Sequence, residues 1–312
     1  MRRMLSLLLF LTPLAVVAQN DTRVGGPISG FVFDGQTHEL RPMLGVPGAS
    51  YLGAALLTGL DAAAASPDGT VALAVSQGRL MLVTGLRGLA PASAAIEGAM
   101  EGVDRMAWSA DGAVAAVYSS HSGRAQVLRH MGRAPAPGEV METGSGLTAL
   151  AVSAQGELAA GMEDGVYLLA PGAAPRRVAT ATRPAALAFR RADLFVADTG
   201  ADRVLLVESY ATNPAASIFA GGVETPVGVQ VSEDGKRLYV AGAKARVLNA
   251  YDVAGRFATG QAQLDFTPSE MRAFGGRDIW LLNSDSGGLD PLCVGTGAGE
   301  PAAWFVPAGR EQ

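Results

Sequence analysis

"LFVADTGADRVLLVE", Leu194 to Glu208, supports two readings. Asp198-Thr199-Gly200-Ala201 at the end of an apolar run suits a catalytic carboxylate. The same letters suit a strand, a tight polar turn and a second strand. Apolar and β-branched residues flank a point where Asp, Thr and Gly reverse the chain. The choice depends on whether the stretch stands alone or belongs to a repeat.

It belongs to a repeat. "ASPDGTVALAV" begins at Ala65, "WSADGAVAAVY" at Trp108, "VSAQGELAAGM" at Val152, "FRRADLFVADT" at Phe189 and "VSEDGKRLYVAG" at Val231, with a weaker "FGGRDIWLLN" at Phe274. The equivalent marks are Ser66, Ser109, Ser153, Arg190, Ser232 and Gly275, at steps of 43, 44, 37, 42 and 43. A period near 40–45 with strand-like content is the length of a four-stranded propeller blade. In the fourth copy the strands read Ala185–Phe189, Leu194–Ala197, Arg203–Val207 and Ser217–Ala220, with Asp198–Asp202 as a turn. Ser-x-Asp-Gly marks the turn after the first strand, where Ser and Asp bond nearby backbone and Gly takes positive φ. No window carries a helical period over three turns. The fold expected is all-β, a β-propeller of four-stranded antiparallel blades.

Two copies carry a more specific likeness. "LFVADTGADRVLLVE" resembles the core of an NHL repeat, and "VSEDGKRLYVAGAKARVLNAYDV", Val231 to Val253, is similar to a YVTN-type propeller repeat. The other copies share the period and the Ser-x-Asp-Gly turn. The resemblance implies a β-propeller.

Six marked copies fill about Leu60 to Pro307, with blades starting near Leu60, Val103, Leu147, Ala185, Pro226 and Met271. Before them, "ISGFVFDGQTHELRPML", Ile28 to Leu44, reads as two more strands. They would complete the last blade, giving six, or build most of another, giving seven, the preferred count. "GVPGASYLGAALLTG", Gly45 to Gly59, reads as an apolar connector across one face. At the N-terminus Met1-Arg2-Arg3, an apolar run from Leu5 to Val17 and Val16-Val17-Ala18 form a signal peptide over residues 1–18, cut after Ala18. The expected organisation is then an extension at 19–27, the propeller at 28–307 and a tail at 308–312. The expected compartment is the periplasm or the exterior, with no stable membrane insertion after cleavage.

Removing Arg2 and Arg3 moves the formal charge from −5 to −7. Mild acidity argues against nucleic acid and anionic membranes as partners. Cys293 is the only cysteine, so no intramolecular disulfide forms. His38, His121 and His130 lack zinc-ligand spacing, and neither a nucleophile elbow nor a phosphate-cradling loop occurs. No cofactor or metal is expected.

The carboxylate reading resembles the loop of a retroviral-type aspartic protease, which needs two acids sharing one proton. A second Asp-Ser-Gly exists at Asp285-Ser286-Gly287. The repeat, however, sets Asp198 opposite Asn283, and opposite about Gly242 and Ser76 in other copies. A position interchangeable with Gly and Ser behaves as a turn. The Asp198 side chain is then expected to bond the N–H of Gly200 or Ala201, with Gly200 at positive φ.

Propeller geometry gathers the loops leading into the innermost strands at the channel mouth. That places Asp104, Arg105, Arg183, Glu224 with Thr225, Glu270 and Arg272 there, as candidates to hold a ligand. Asp164, Asp198, Asp202, His121 and Asp285 fall in the turns between second and third strands. The leading function is an exported, non-catalytic module binding a protein or small ligand through these loops. The alternative is a propeller enzyme of lactonase, lyase or quinoprotein type, which Arg105, Arg183 and Arg272 oppose by repelling a divalent cation.

Overall fold

The computed structural model describes residues 27–46, 48–88, 90–144, 146–276, 278–284, 292–294, 300–304 and 306. The expected leader, the extension up to residue 26, Asp285 and the C-terminal tail lie outside them. Among the described residues no helix is long and apolar enough to cross a membrane.

Six antiparallel sheets of four strands each follow one another along the chain. Their first strands are Ala62–Ala65, Arg105–Trp108, Ala149–Val152, Pro184–Arg190, Pro226–Val231 and Pro268–Ala273. Each start lies within three residues of the expected one. The first strands of successive sheets adjoin, so the sheets fan around a ring as six propeller blades. In the fourth blade the strands are Pro184–Arg190, Asp193–Asp198, Arg203–Glu208 and Ala215–Gly221. Among the described residues the only helical element, Thr199–Ala201, is one 3-10 turn.

The N-terminal strands do not complete the sixth blade, which supplies its own four. They form a separate three-stranded sheet: β1 (Ile28–Asp34), β2 (Glu39–Val46) and β3 (Ala49–Leu52). Val32, Met43 and Leu52 pack on Phe274 and Val306 of the sixth-blade segment. Phe31 and Leu40 pack on Leu60, Ala63 and Leu86 at the first blade. The sheet therefore stands between the last and first blades and closes the ring. The connector expected across one face instead contributes β3, and Leu56 returns to donate its N–H to Leu40.

The core lies between blades. Leu73, Val75 and Leu80 of the first meet Ala115, Val117 and Leu128 of the second. Phe195 and Leu206 of the fourth meet Val229, Leu238 and Val240 of the fifth. Burying such side chains stabilises by about 1.5–3 kcal/mol each. Small residues at Ala115 and Ala159, both fully buried, let neighbouring sheets approach.

On the face opposite the mouth, the Ser-x-Asp-Gly turns have the expected geometry. Ser66, Ser109 and Ser232 donate their hydroxyls to Asp68, Asp111 and Asp234 at 2.6, 2.6 and 2.7 Å. The N–H of Thr70, Ala113 and Lys236 closes each turn on the same carboxylate. Burial alone would raise the Asp68 carboxyl, but the bonds from Ser66 and Thr70 outweigh it and hold it below the ordinary value. The N–H of Lys236 and the hydroxyl of Ser232 lower Asp234 likewise. These turns are joints.

Candidate functional site

The connections into the first strands share a face with the turns between second and third strands. Backbone bonds stitch the two sets together. Asp104 N–H donates to Tyr118 O, Thr148 to Gly161, Arg183 to Glu163, Gly200 to Thr182 and Ala243 to Thr225. The mouth is thereby a set of mutually braced loops, and its charged residues add to the bracing.

Asp104 precedes the first strand of the second blade and accepts from Ser120 N–H at 3.1 Å and from the Ser120 hydroxyl. Arg105 opens that strand and donates to the carbonyls of Leu147 and Thr148 at 3.0 and 3.2 Å, reaching the next blade. Arg183 lies 3.9 Å from Glu163, with both side chains largely exposed. Glu224 pairs with Lys244 at 2.9 Å, and that bond holds the ammonium above its ordinary value. Glu270 and Arg272 do not sit in the connecting loop as expected. The inner strand Pro268–Ala273 begins three residues before the Met271 expected, so both lie within it, where they pair at 2.8 Å. Each of these candidates thus already has a partner within the chain.

Asp198 decides the opening ambiguity. It ends the strand Asp193–Asp198 and is completely buried. Its carboxylate accepts from Thr182 N–H at 2.6 Å and from Arg203 Nε at 2.8 Å. The expected bonds to Gly200 or Ala201 are absent, because the carboxylate turns inward to the loop entering its own blade. Gly200 also departs from expectation. The positive φ belongs to Asp202, at 49°. Gly200 is needed for close approach, since a Cβ there would lie 2.5 Å from Thr182 O. Cross-strand pairing sets Asp198 opposite Pro184, as Gly242 is opposite Pro226 and Ser284 opposite Pro268. The partner of Asp198 in the sixth blade is thus Ser284, one residue beyond the Asn283 expected, because the sixth blade joins its first two strands by a longer turn: Ala273 pairs with Trp280 where Arg190 pairs with Asp193.

Asp202 accepts from Thr225 N–H at 2.8 Å and so clasps the fifth blade. Asp164 accepts from the Tyr167 hydroxyl at 2.9 Å and stands 3.7 Å from Arg177. The bond to Asp164 raises the Tyr167 phenol above its ordinary value. Among the described residues no three of His, Cys, Asp and Glu converge as a metal site would require.

Two open grooves mark this face. One, about 350 Å³, is lined by Thr143, Met162, Glu163, Asp164, Tyr167 and Pro175. The other, about 510 Å³, is lined by Gln77, Arg79, Glu101, Ser119, His121 and Ser122. Asp164 and His121 were legible as loop candidates. Tyr167, Arg79 and Glu101 were not, for they lie in strands or connections whose exposure only the packed blades define.

No family model matches the chain, and no curated protein matches it in sequence. Solved propeller-like structures do. A functionally unknown protein from Desulfotomaculum acetoxidans DSM 771 superposes with a TM-score of 0.63 at 12% identity, over 90% of this chain and 99% of its own. A chain of a nidogen/laminin complex superposes with a TM-score of 0.50 at 17% identity, over 75% of this chain and 92% of its own. At these identities the likeness shows the fold alone.

Asp198 has no access to solvent, and its two nearest partners already use both carboxylate oxygens. The two grooves instead offer exposed hydroxyl, carboxylate, guanidinium and imidazole groups on a frame fixed by backbone bonds.

Proposed function

We propose that the chain is an exported β-propeller, built from divergent NHL- or YVTN-type repeats, that binds a protein or small ligand through its mouth-face loops without catalysis. The observation that carries this reading is the bracing of that face. Its loops are fixed to one another by backbone bonds and by Asp104, Arg105, Asp198 and Asp202, so little ordering cost remains when a partner docks. The grooves beside Tyr167 and His121 supply concave surface in which a few polar groups stand among apolar lining. Export rests on the leader, and the secreted protein should begin at Gln19.

A thermal-shift screen of the mature protein tests the binding role, because a ligand of the native state alone must raise the midpoint. A ligand whose shift is lost in Tyr167→Ala or His121→Ala, with the unliganded midpoint kept, supports the reading. A ligand whose shift survives both changes places recognition elsewhere and contradicts it.

A further inference from the structure

The two grooves differ in what they leave unpaired. In the smaller, both lining carboxylates are engaged: Glu163 faces Arg183, and Asp164 holds Tyr167 and stands beside Arg177. In the larger, of about 510 Å³, the ionisable lining residues are Arg79, Glu101 and His121. All three are exposed, and among the described residues none has a hydrogen bond or an ion pair.

Arg79 and Glu101 carry opposite charges in one groove and yet do not meet, because the backbone beside each is anchored. Gly78, next to Arg79, donates its N–H to the Asp61 carboxylate at 3.1 Å and accepts the Gly102 N–H on its carbonyl at 3.0 Å. Glu101 lies between Gly102 and Met100, whose N–H donates to Oε1 of the buried Gln126 at 2.8 Å. Ser119, only 1% exposed, lines the same groove. Its Oγ accepts from Ser122 N–H at 3.4 Å, and among the described residues nothing accepts its own proton. A buried donor without an acceptor costs free energy that a ligand oxygen recovers.

We propose, resting on the binding role above, that this groove takes a dipeptide with free ends. Its carboxylate bonds the Arg79 guanidinium and the Ser119 hydroxyl, and its ammonium bonds Glu101. A simple anion would meet a like charge at Glu101 and a simple cation would meet one at Arg79. A ligand carrying both signs suits both. Because Arg79 and Glu101 do not reach each other, the ligand's charges must be separated as well. In an amino acid they flank one carbon, while a dipeptide adds a residue, about 3.5 Å of chain. The anchored backbone leaves little to order on binding. Exposed ion pairs are weak, so the expected Kd is about 1 mM.

The test is an amide chemical-shift titration of the mature protein with Ala-Ala. Shifts should appear at Gly78, Gly102 and Ser122 and not at Asp164 or Tyr167. N-acetyl-Ala-Ala lacks the ammonium and Ala-Ala amide lacks the carboxylate, and each should bind about fivefold more weakly. Glu101→Gln should weaken Ala-Ala by the same factor and leave N-acetyl-Ala-Ala unchanged. Arg79→Gln should weaken Ala-Ala likewise and leave Ala-Ala amide unchanged. Both variants should melt with the wild type, since neither side chain has an internal bond to lose. Free and capped peptides that bind alike overturn the proposal, as do shifts at Gly78 and Gly102 that persist undiminished in both variants. Shifts confined to Asp164 and Tyr167 overturn it and keep the binding role. No shift from Ala-Ala overturns it too, and the thermal-shift screen then decides the binding role separately.

Discussion

The fourth and fifth blades solve the same problem at the mouth with different side chains. In the fourth, Gly200 N–H bonds Thr182 O; in the fifth, Ala243 N–H bonds Thr225 O. The backbone contact is the same. The N–H of Thr182, however, is bonded by Asp198 from its own blade, while that of Thr225 is bonded by Asp202 from the neighbouring one. At the position of Asp198 the fifth blade has Gly242. Topology thus requires the loop-to-turn contact and leaves the choice of side chain open. An Asp-Thr-Gly that looks catalytic in one copy is one of two ways to fasten a blade.

Changes at Gly200 should show the largest difference between the blades. A Val side chain there would strike Thr182 O and Cγ2, at 2.5 and 2.6 Å from Cβ. Overpacking against backbone should cost about 3 kcal/mol, lowering the melting midpoint by roughly 6 °C. An unchanged midpoint would mean that the fourth-blade turn can move away from its loop.

Asp202→Ala removes a bond to one exposed backbone N–H. Its cost should be about 1 kcal/mol, or roughly 2 °C, and hydrogen exchange should quicken at Thr225 while Thr182 stays protected. Equal loosening at both amides would erase the distinction between the two fastenings.

The smallest effect concerns the opposite face. Asp68 and Asp234 are held below the usual 3.8. A depressed carboxyl contributes stability that is complete above its unfolded value and disappears as pH falls through the folded one. Melting midpoints measured from pH 5 to 2 should therefore fall less steeply in Asp234→Asn than in the wild type, with neutral-pH behaviour nearly shared. A parallel decline would remove Asp234 from the acid response.

The blades were legible because their signals are local. Ser66 and Asp68, Ser109 and Asp111, and Ser232 and Asp234 stand two residues apart, and their turn geometry needs nothing from the rest of the chain. The ring was legible from the repeat period, but the place of Ile28–Asp34 was not, since either the sixth blade or a separate sheet accommodates its apolar alternation. Packing of Phe274 and Val306 on Val32 and Met43 settles it. At the candidate site, sequence set Asp104, Arg183 and Glu224 in connections between strands, and the structure has them there. It misplaced Glu270 and Arg272 by the few residues that separate a loop from a strand. The inward turn of Asp198 depends on Thr182, sixteen residues away, and only the folded blade brings that amide within reach. Arg203 was the available clue, because a turn flanked by Asp and Arg sets opposite charges across from each other on paired strands.

The most direct measurement is a double-mutant stability cycle on Asp198 and Arg203. The pair joins a fully buried carboxylate to a guanidinium that is 30% exposed. Asp198→Ala, Arg203→Ala and the double variant should each unfold reversibly, with a coupling energy of about 1–2 kcal/mol between the two sites. That coupling would show that Asp198 is a fastening whose partner is internal. Additive effects, with Asp198→Ala melting at the wild-type temperature, would contradict the account, because a carboxylate retained for activity owes nothing to the stability of its blade.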